Sequence, residues 1–244
     1  MSATLKIFQL NIEKSKHLSR IVPFVQKEQP DVITFQEILE IDIPLFEKEL
    51  GMECAFAPMN IQEKENSVQG VAIFSKTELL QQQTAQYGGN FDAQLPVYIH
   101  GDRQKGYESS RFVLLTCDIK KENEVFRIST THSPVSQKGE ITTDFQRESV
   151  KNLLALLKKE KEFVLTGDFN APRGGEIFAQ LAAVYTDNIP TEITTSIDGT
   201  LHRAGQLQHM VDGIFSTPDY RVTNVQGHTG LSDHWGFTAE IFKA

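Results

Sequence analysis

Phe163-Val164-Leu165-Thr166-Gly167-Asp168-Phe169-Asn170 carries an apolar run into a carboxylate and a carboxamide. An Asp so placed can accept a proton from an attacking water or hold a cation, and the Asn amide donates to a phosphate oxygen without adding negative charge. Gly, Asp and Asn are also ordinary turn formers, so the segment alone fits a plain strand-to-loop turn equally well. Recurrence of the same design elsewhere in the chain separates the two readings.

Working outward, Leu5 to Leu10 ends in Asn11, Val32-Ile33-Thr34-Phe35 ends in Gln36 and Glu37, and a run through Phe126 and Ile128 ends in Thr131 and His132. Further on, Met210-Val211-Asp212-Gly213-Ile214-Phe215 sets an Asp inside an apolar stretch, and Ser232-Asp233-His234 precedes Trp235-Gly236-Phe237. Taken singly, Asn11 also reads as a strand-end turn residue, Glu37 as a helix-start charge and His132 as a satisfied buried histidine. Asp212 resists such a reading, because an unpaired carboxylate in an apolar strand is costly. It calls for a partner, and His234 is the natural candidate.

In order and spacing these segments, together with Gly70-Val71-Ala72-Ile73-Phe74-Ser75 and Arg111 at the head of a strand, resemble the endonuclease/exonuclease/phosphatase superfamily, which includes DNase I-like and exonuclease III-like enzymes. The resemblance runs from about residue 5 to 242 and covers essentially the whole chain. It implies an α+β fold, a four-layer αββα sandwich of two mostly antiparallel or mixed β-sheets packed face to face with helices on their outer faces, and an active site at one end of the sheets. It also implies a divalent metal, Mg²⁺ with Mn²⁺ as the alternative. Glu37 is the best ligand by chemistry, since Mg²⁺ favours oxygen and carboxylates, with Asn11 and Asp233 completing the shell directly or through water. In the same comparison Asp168 orients or deprotonates the attacking water, Asn170 contacts the phosphate, and His132 makes a second phosphate or transition-state contact. His234, held by Asp212, stabilises the developing oxyanion or protonates the leaving group, and Arg111 sits near the scissile phosphate. The chain departs from the family pattern at Glu13, where a neutral or shorter side chain is common, and at Gly213, where an aromatic residue is common. His132 resembles the DNase I, sphingomyelinase and 5-phosphatase branches more than the abasic-site endonucleases, which tend to have a tyrosine there.

Composition fits one catalytic domain over residues 1–244: the chain is 39% hydrophobic and 23% charged, ordinary values for a globular protein long enough to bury a large core. No apolar run is long enough to span a bilayer, and the first residues lack a signal-peptide pattern, so cytoplasmic residence without membrane insertion is expected. No obligate protein partner is evident. Cys54 and Cys117 lie in apolar strand-like settings and read as core thiols.

Periodicity places helices at 18–29, 41–50 and 142–159, the last with Val150, Leu153, Leu154 and Leu157 along one face. Strand-like runs lie near 5–11, 31–36, 54–57, 70–75, 79–85, 111–119, 124–132, 162–167, 211–215, 220–226 and 236–242. A dry interior between the sheets, with polar residues only at the rim, follows from runs that end in polar residues. Loops at about 87–110, with Tyr87, Tyr98, His100, Arg103, Lys105, Tyr107 and Arg111, and about 190–209, with His202, Arg203 and His209, are placed to choose the substrate. Their basic and aromatic side chains suit phosphate binding and stacking, and equally suit ordinary surface loops. With 24 basic against 32 acidic residues, a net charge of −8, nonspecific grip on a long duplex is disfavoured. The leading reading is a metal-dependent hydrolase of a phosphodiester, either a short or single-stranded nucleic acid or a smaller diester. The alternatives are a phosphomonoesterase on a small phosphorylated molecule or inositol phosphate, and a noncatalytic binding module, against which the intact Glu37, Asp168, Asn170, Asp212, Asp233 and His234 set argues.

Overall fold

A computed structural model describes residues 3–136 and 141–244, the side chains of Arg103 and Gln104 excepted. One sheet is built from β1 (Leu5–Asn11), β2 (Val32–Leu39), β3 (Glu53–Gln62), β4 (Ser67–Ser75), β11 (Tyr220–His228) and β12 (Gly236–Lys243) in the order β11-β12-β1-β2-β4-β3. The other contains β5 (Leu79–Gly89), β6 (Arg111–Lys121), β7 (Glu124–His132), β8 (Val164–Asp168), β9 (Thr186–Asp187) and β10 (Asp212–Ser216) in the order β5-β6-β7-β8-β10-β9. Within each sheet neighbours run antiparallel except for one pair, β1 with β2 and β7 with β8. Helices α1 (Leu18–Glu28) and α2 (Ile43–Leu50) cover the first sheet; α4 (Asp144–Leu157) and α5 (Glu176–Ala182) cover the second. The four-layer α+β sandwich expected from the sequence is therefore the observed architecture.

Burial of both faces explains why the central strands of the first sheet begin as nearly unbroken apolar runs. In β1, Leu5 and Ile7 enter the core between the sheets, while Phe8 and Leu10 enter the core beneath α1 and α2. The Phe35 ring lies 5.0 Å from Phe46 of α2 and 5.7 Å from Phe74 of β4. Loss of any of these rings would leave a void in a close-packed layer, which typically costs about 3–5 kcal/mol. α4 opens on a capping box, the Gln146 amide donating to Thr143 Oγ1 and the Thr143 amide to Gln146 Oε1. Its buried face holds Val150, Leu153 and Leu157, as the spacing predicts.

The interior is not dry along its whole length, which corrects the sequence-based expectation. On the inward face, Leu5 and Ile7 of β1 give way to Gln9 and Asn11, and Val32 of β2 gives way to Thr34 and Gln36. The facing strands do the same, through Thr130 and His132 of β7 and through Thr166 and Asp168 of β8. Thr166 Oγ1 donates to Thr34 Oγ1 at 2.8 Å, and Gln36 Nε2 donates to Thr130 Oγ1 at 2.9 Å, so the two sheets are hydrogen-bonded to each other across the gap. Such pairing is what permits these polar groups to be buried. The apolar-to-polar gradient along each central strand delivers the polar side chains to one end of the sandwich.

Helices α3 (Arg103–Glu108) and α5 and the two-residue strand β9 have no counterpart in the sequence expectations. Each is too short to show a period. Cys117 is buried and its thiol is pushed up to about 12 by burial; Cys54, half-buried, is likewise raised by burial. Both fit the reading as inert core thiols.

Candidate active site

Strand register brings the polar ends together. The parallel pair β1/β2 sets Asn11 beside Gln36, the parallel pair β7/β8 sets His132 beside Asp168, and antiparallel β10 sets Asp212 opposite Asp168. These ends open onto a cavity of about 680 Å³ lined by Glu37, His132, Asp168, Asn170, Asp233 and His234, among others. Gly167 makes the close strand approach possible, since a Cβ there would lie 2.3 Å from the Thr131 carbonyl oxygen.

Asp168 is buried yet reaches the cavity. Its Oδ1 accepts the Asn170 backbone amide at 2.8 Å, and its Oδ2 accepts Asn11 Nδ2 at 3.0 Å. The first of these is the side-chain turn that Asp favours, and it holds Asn170 in the left-handed region at φ 50°, which Asn tolerates better than most residues. Asn170 Nδ2 lies 2.9 Å from His132 Nε2 and donates to the Ser133 carbonyl at 2.9 Å. His132 Nε2 is in turn 3.5 Å from Asp168 Oδ2 and 3.7 Å from Glu37 Oε1.

Asp212 finds the partner its burial demands: its Oδ2 lies 2.8 Å from His234 Nδ1. Burial alone pushes the His234 pKa down, but the Asp212 and Asp168 carboxylates outweigh it and raise the imidazole well above its ordinary value, favouring the charged form. Its Nε2 stands 3.8 Å from Asp168 Oδ2. The 190–209 segment braces this pair. Ser196 Oγ accepts the backbone amides of Val211 at 3.0 Å and Asp212 at 3.2 Å, and Ile197 bridges to His234. Gly213 leaves room for the Phe169 and Phe215 rings: a Cβ on it would lie 2.8 Å from each.

Glu37 owes its position to a bulge. β2 pairs Phe35 with Ala72 and then Ile38 with Gly70, so Gln36 and Glu37 together oppose Val71, and Glu37 takes φ 57°. Strict alternation would send these neighbours to opposite faces. The bulge turns Glu37 toward the cavity while Gln36 still reaches Thr130 of the facing sheet. A left-handed Glu inside a strand is strained, and strain of this kind concentrates at functional sites. Glu37 Oε1 accepts Asn11 Nδ2 at 3.3 Å and Oε2 accepts Gln69 Nε2 at 3.3 Å.

The donor set fits a hard divalent cation. Glu37 and Asp233 present carboxylate oxygens to the cavity, and burial holds the Asp233 carboxyl up at about 6, partly offset by His234. Asn11 Nδ2 faces Glu37 and Asp168, and its Oδ1 accepts the Glu13 amide at 3.1 Å. It therefore bridges two carboxylates as a donor. Asp168, Asp212 and His234 also bring ligand atoms within 4.8 Å of one another, a buried group able by proximity to hold a metal. There, however, Asp212 is fully buried and does not line the cavity, whereas Glu37 and Asp233 face a space that admits the waters a Mg²⁺ keeps.

Of the residues expected at the substrate, His202 and Arg203 line the cavity with Tyr98, His100 and Tyr107. Burial pushes the His202 pKa down. Arg111 does not reach the cavity; its guanidinium donates to the carbonyls of Asp92 at 2.6 Å and Ala93 at 3.2 Å, pinning the loop before α3. Tyr87 is also turned inward, its hydroxyl 2.8 Å from Thr131 Oγ1. Gln69, on Glu37, and Gln9, on Asp212, join the site without being expected there from sequence. Gln69 left no signal in its half-polar strand, but Gln9 had one, a polar residue at the inward position after Leu5 and Ile7.

The sequence model of the Endonuclease/Exonuclease/phosphatase family matches residues 8–234. The chain belongs to this family, whose members are phosphoric ester hydrolases. Among solved structures, an endonuclease/exonuclease/phosphatase from Beutenbergia cavernae is similar with a TM-score of 0.75 at 14% identity, covering 99% of this chain and 72% of that one. One from Bacteroides vulgatus gives 0.74 at 17% identity, covering 99% and 100%. A mannosyl-6-phosphatase from Bacteroides thetaiotaomicron gives 0.69 at 14% identity, covering 97% and 99%. At these identities the likeness is one of fold. No curated protein sequence matches the chain. Among the described residues no helix is long and apolar enough to cross a membrane.

Proposed function

We propose that residues 1–244 form one catalytic domain that hydrolyses a phosphodiester by attack of a water activated at Asp168, with a divalent cation held by Glu37 and Asp233. The observation that carries this reading is the meeting of a proton acceptor and a cation on one cavity, Asp168 Oδ2 lying 3.8 Å from His234 Nε2, beside the strained Glu37 carboxylate. Bound Mg²⁺, or Mn²⁺ in its place, supplies positive charge that offsets the phosphate anion. Asp168 takes the proton of the attacking water. Asn170 and His132 hold a phosphate oxygen, and the His234 imidazolium, its ring orientation fixed by Asp212, stabilises or protonates the departing oxygen.

The rim limits the substrate. Lys14 is paired with Glu65 at 2.7 Å and Lys16 with Glu13, whereas Arg203 forms no ion pair among the described residues. A duplex held through many phosphates needs clustered free cations, so a compact or single-stranded ester is favoured, with Arg203 and His202 meeting the group beyond the scissile phosphate. A phosphomonoesterase reading is the second, favoured by the likeness to the mannosyl-6-phosphatase. Arg111 serves either substrate at one remove, through the loop it pins.

Glu37→Ala tests the ligand assignment: the Mg²⁺ concentration for half-maximal rate should rise by about 10-fold or more, and an unchanged metal response would move the ligand elsewhere. Asp233 adds a pH signature. Its raised pKa means the carboxyl is protonated below about 6 and charged above it, so the Mg²⁺ requirement should climb as pH falls through that value. A flat requirement across the same range would remove Asp233 from the ligand set.

A further inference from the structure

Gln9 is fully buried, on the inward face of β1, where alternation after Leu5 and Ile7 calls for an apolar side chain. Both hydrogens of its amide are used: Nε2 donates to Asp212 Oδ1 at 2.9 Å and to Gln36 Oε1 at 3.0 Å. Gln36 passes the chain on to Thr130 Oγ1 at 2.9 Å. The cost is visible at the other end of the amide, since Gln9 Oε1 is buried without a hydrogen-bond partner among the described residues. Turning the amide over would face that oxygen to the Asp212 carboxylate and the Gln36 oxygen, two acceptors, which is worse.

The Gln9 amide orients Asp212. The carboxylate spans the gap between a β1 amide on Oδ1 and His234 Nδ1 on Oδ2, and its backbone amide is held by Ser196 Oγ. With Oδ1 tied to the opposite sheet, Oδ2 is fixed toward His234; without Gln9, the carboxylate is free to rotate about its Cβ–Cγ bond, and His234 loses a fixed acceptor. We infer that Gln9 is a positioning residue of the Asp212–His234 pair, the middle link of a cross-sheet hydrogen-bond chain Thr130–Gln36–Gln9–Asp212–His234. The inference rests on the role assigned to His234 above, and it concerns a residue that touches neither substrate nor metal.

The test is a double-mutant cycle on the intact protein with Mg²⁺, using wild type, Gln9→Met, His234→Ala and the double variant, with bis(p-nitrophenyl) phosphate as the good leaving group and diphenyl phosphate as the poor one. Met conserves the length of Gln while removing both donors. Gln9→Met should lower kcat on diphenyl phosphate by about 10- to 100-fold, the loss expected for a hydrogen bond to a charged group, with KM unchanged and a smaller loss on bis(p-nitrophenyl) phosphate. In the His234→Ala background it should add nothing, because the two residues act as a unit. An equal loss in both backgrounds, or no loss in wild type, would overturn the proposal. Gln9→Leu, which removes the amide with a different apolar shape, is the second variant and should show the same non-additivity. If neither variant folds, by circular dichroism, Gln9 is structural and the proposal fails. An inert His234→Ala would instead overturn the reading of the site itself.

Discussion

Asp168→Asn is expected to lower kcat by about 100- to 10,000-fold, the contribution of a positioned general base, while the protein stays folded. The substitution is close to isosteric. The side-chain oxygen can still accept the Asn170 amide that Oδ1 accepts now, so the loop carrying Asn170 keeps its left-handed turn. What is lost is the capacity to take a proton, together with a negative charge near the His132 and His234 imidazoles. KM should change little, because binding and transition-state stabilisation respond separately to such a change. Steady-state rates with circular dichroism as a folding control decide the matter, and near-normal turnover would take the water-activating role away from Asp168.

Asp212→Asn should have the second largest effect, and it should appear in the pH profile. Coulombic attraction to Asp212 and Asp168 keeps the His234 imidazole charged well above its ordinary titration range, against the opposing effect of burial. Activity that needs the imidazolium is therefore present below the raised pKa and lost as pH rises through it. Removing the Asp212 charge lowers that pKa, so the alkaline limb should move to lower pH, and kcat on a poor leaving group should fall by about 100-fold at neutral pH. The stability sign is the same: the pair stabilises the fold below the unfolded-state pKa of histidine, and this is lost as pH rises through the folded value. The variant should therefore be less stable near neutrality, and breaking a buried pair typically costs about 3–5 kcal/mol. Superimposable pH profiles of the two proteins would show that His234 is not the acid.

Much of this arrangement is legible in the residues themselves. Strands announce themselves by apolar runs, and each central run ends in a side chain able to bind metal or phosphate because the gradient along the strand is written residue by residue, as in Leu5, Ile7, Gln9 and Asn11. The Asp212–His234 pair is also legible, since a carboxylate in an apolar strand must be answered. Glu37 is legible only as a residue type. Its aim into the cavity depends on the bulge opposite Val71 and a positive φ, which no periodicity records. Arg111 differs from its expected place for a related reason: it heads β6 near the site, but its guanidinium donates to the carbonyls of Asp92 and Ala93 instead. The polar layer between the sheets was hidden because Thr34, Gln36, Thr130 and Thr166 look like surface residues until the opposing sheet supplies their partners. Helix α3 and helix α5 escaped because six and seven residues are too few for a helical period to repeat.

Hydrolysis of bis(p-nitrophenyl) phosphate as a function of Mg²⁺ concentration, by wild type and Asp168→Asn with a chelator control, tests the central claim most directly. A rate that rises to saturation with Mg²⁺, vanishes with chelator and is lost in the variant is the expected result. Hydrolysis that is indifferent to metal and to Asp168, or metal binding with no turnover of this diester or of a phosphomonoester counterpart, would contradict it.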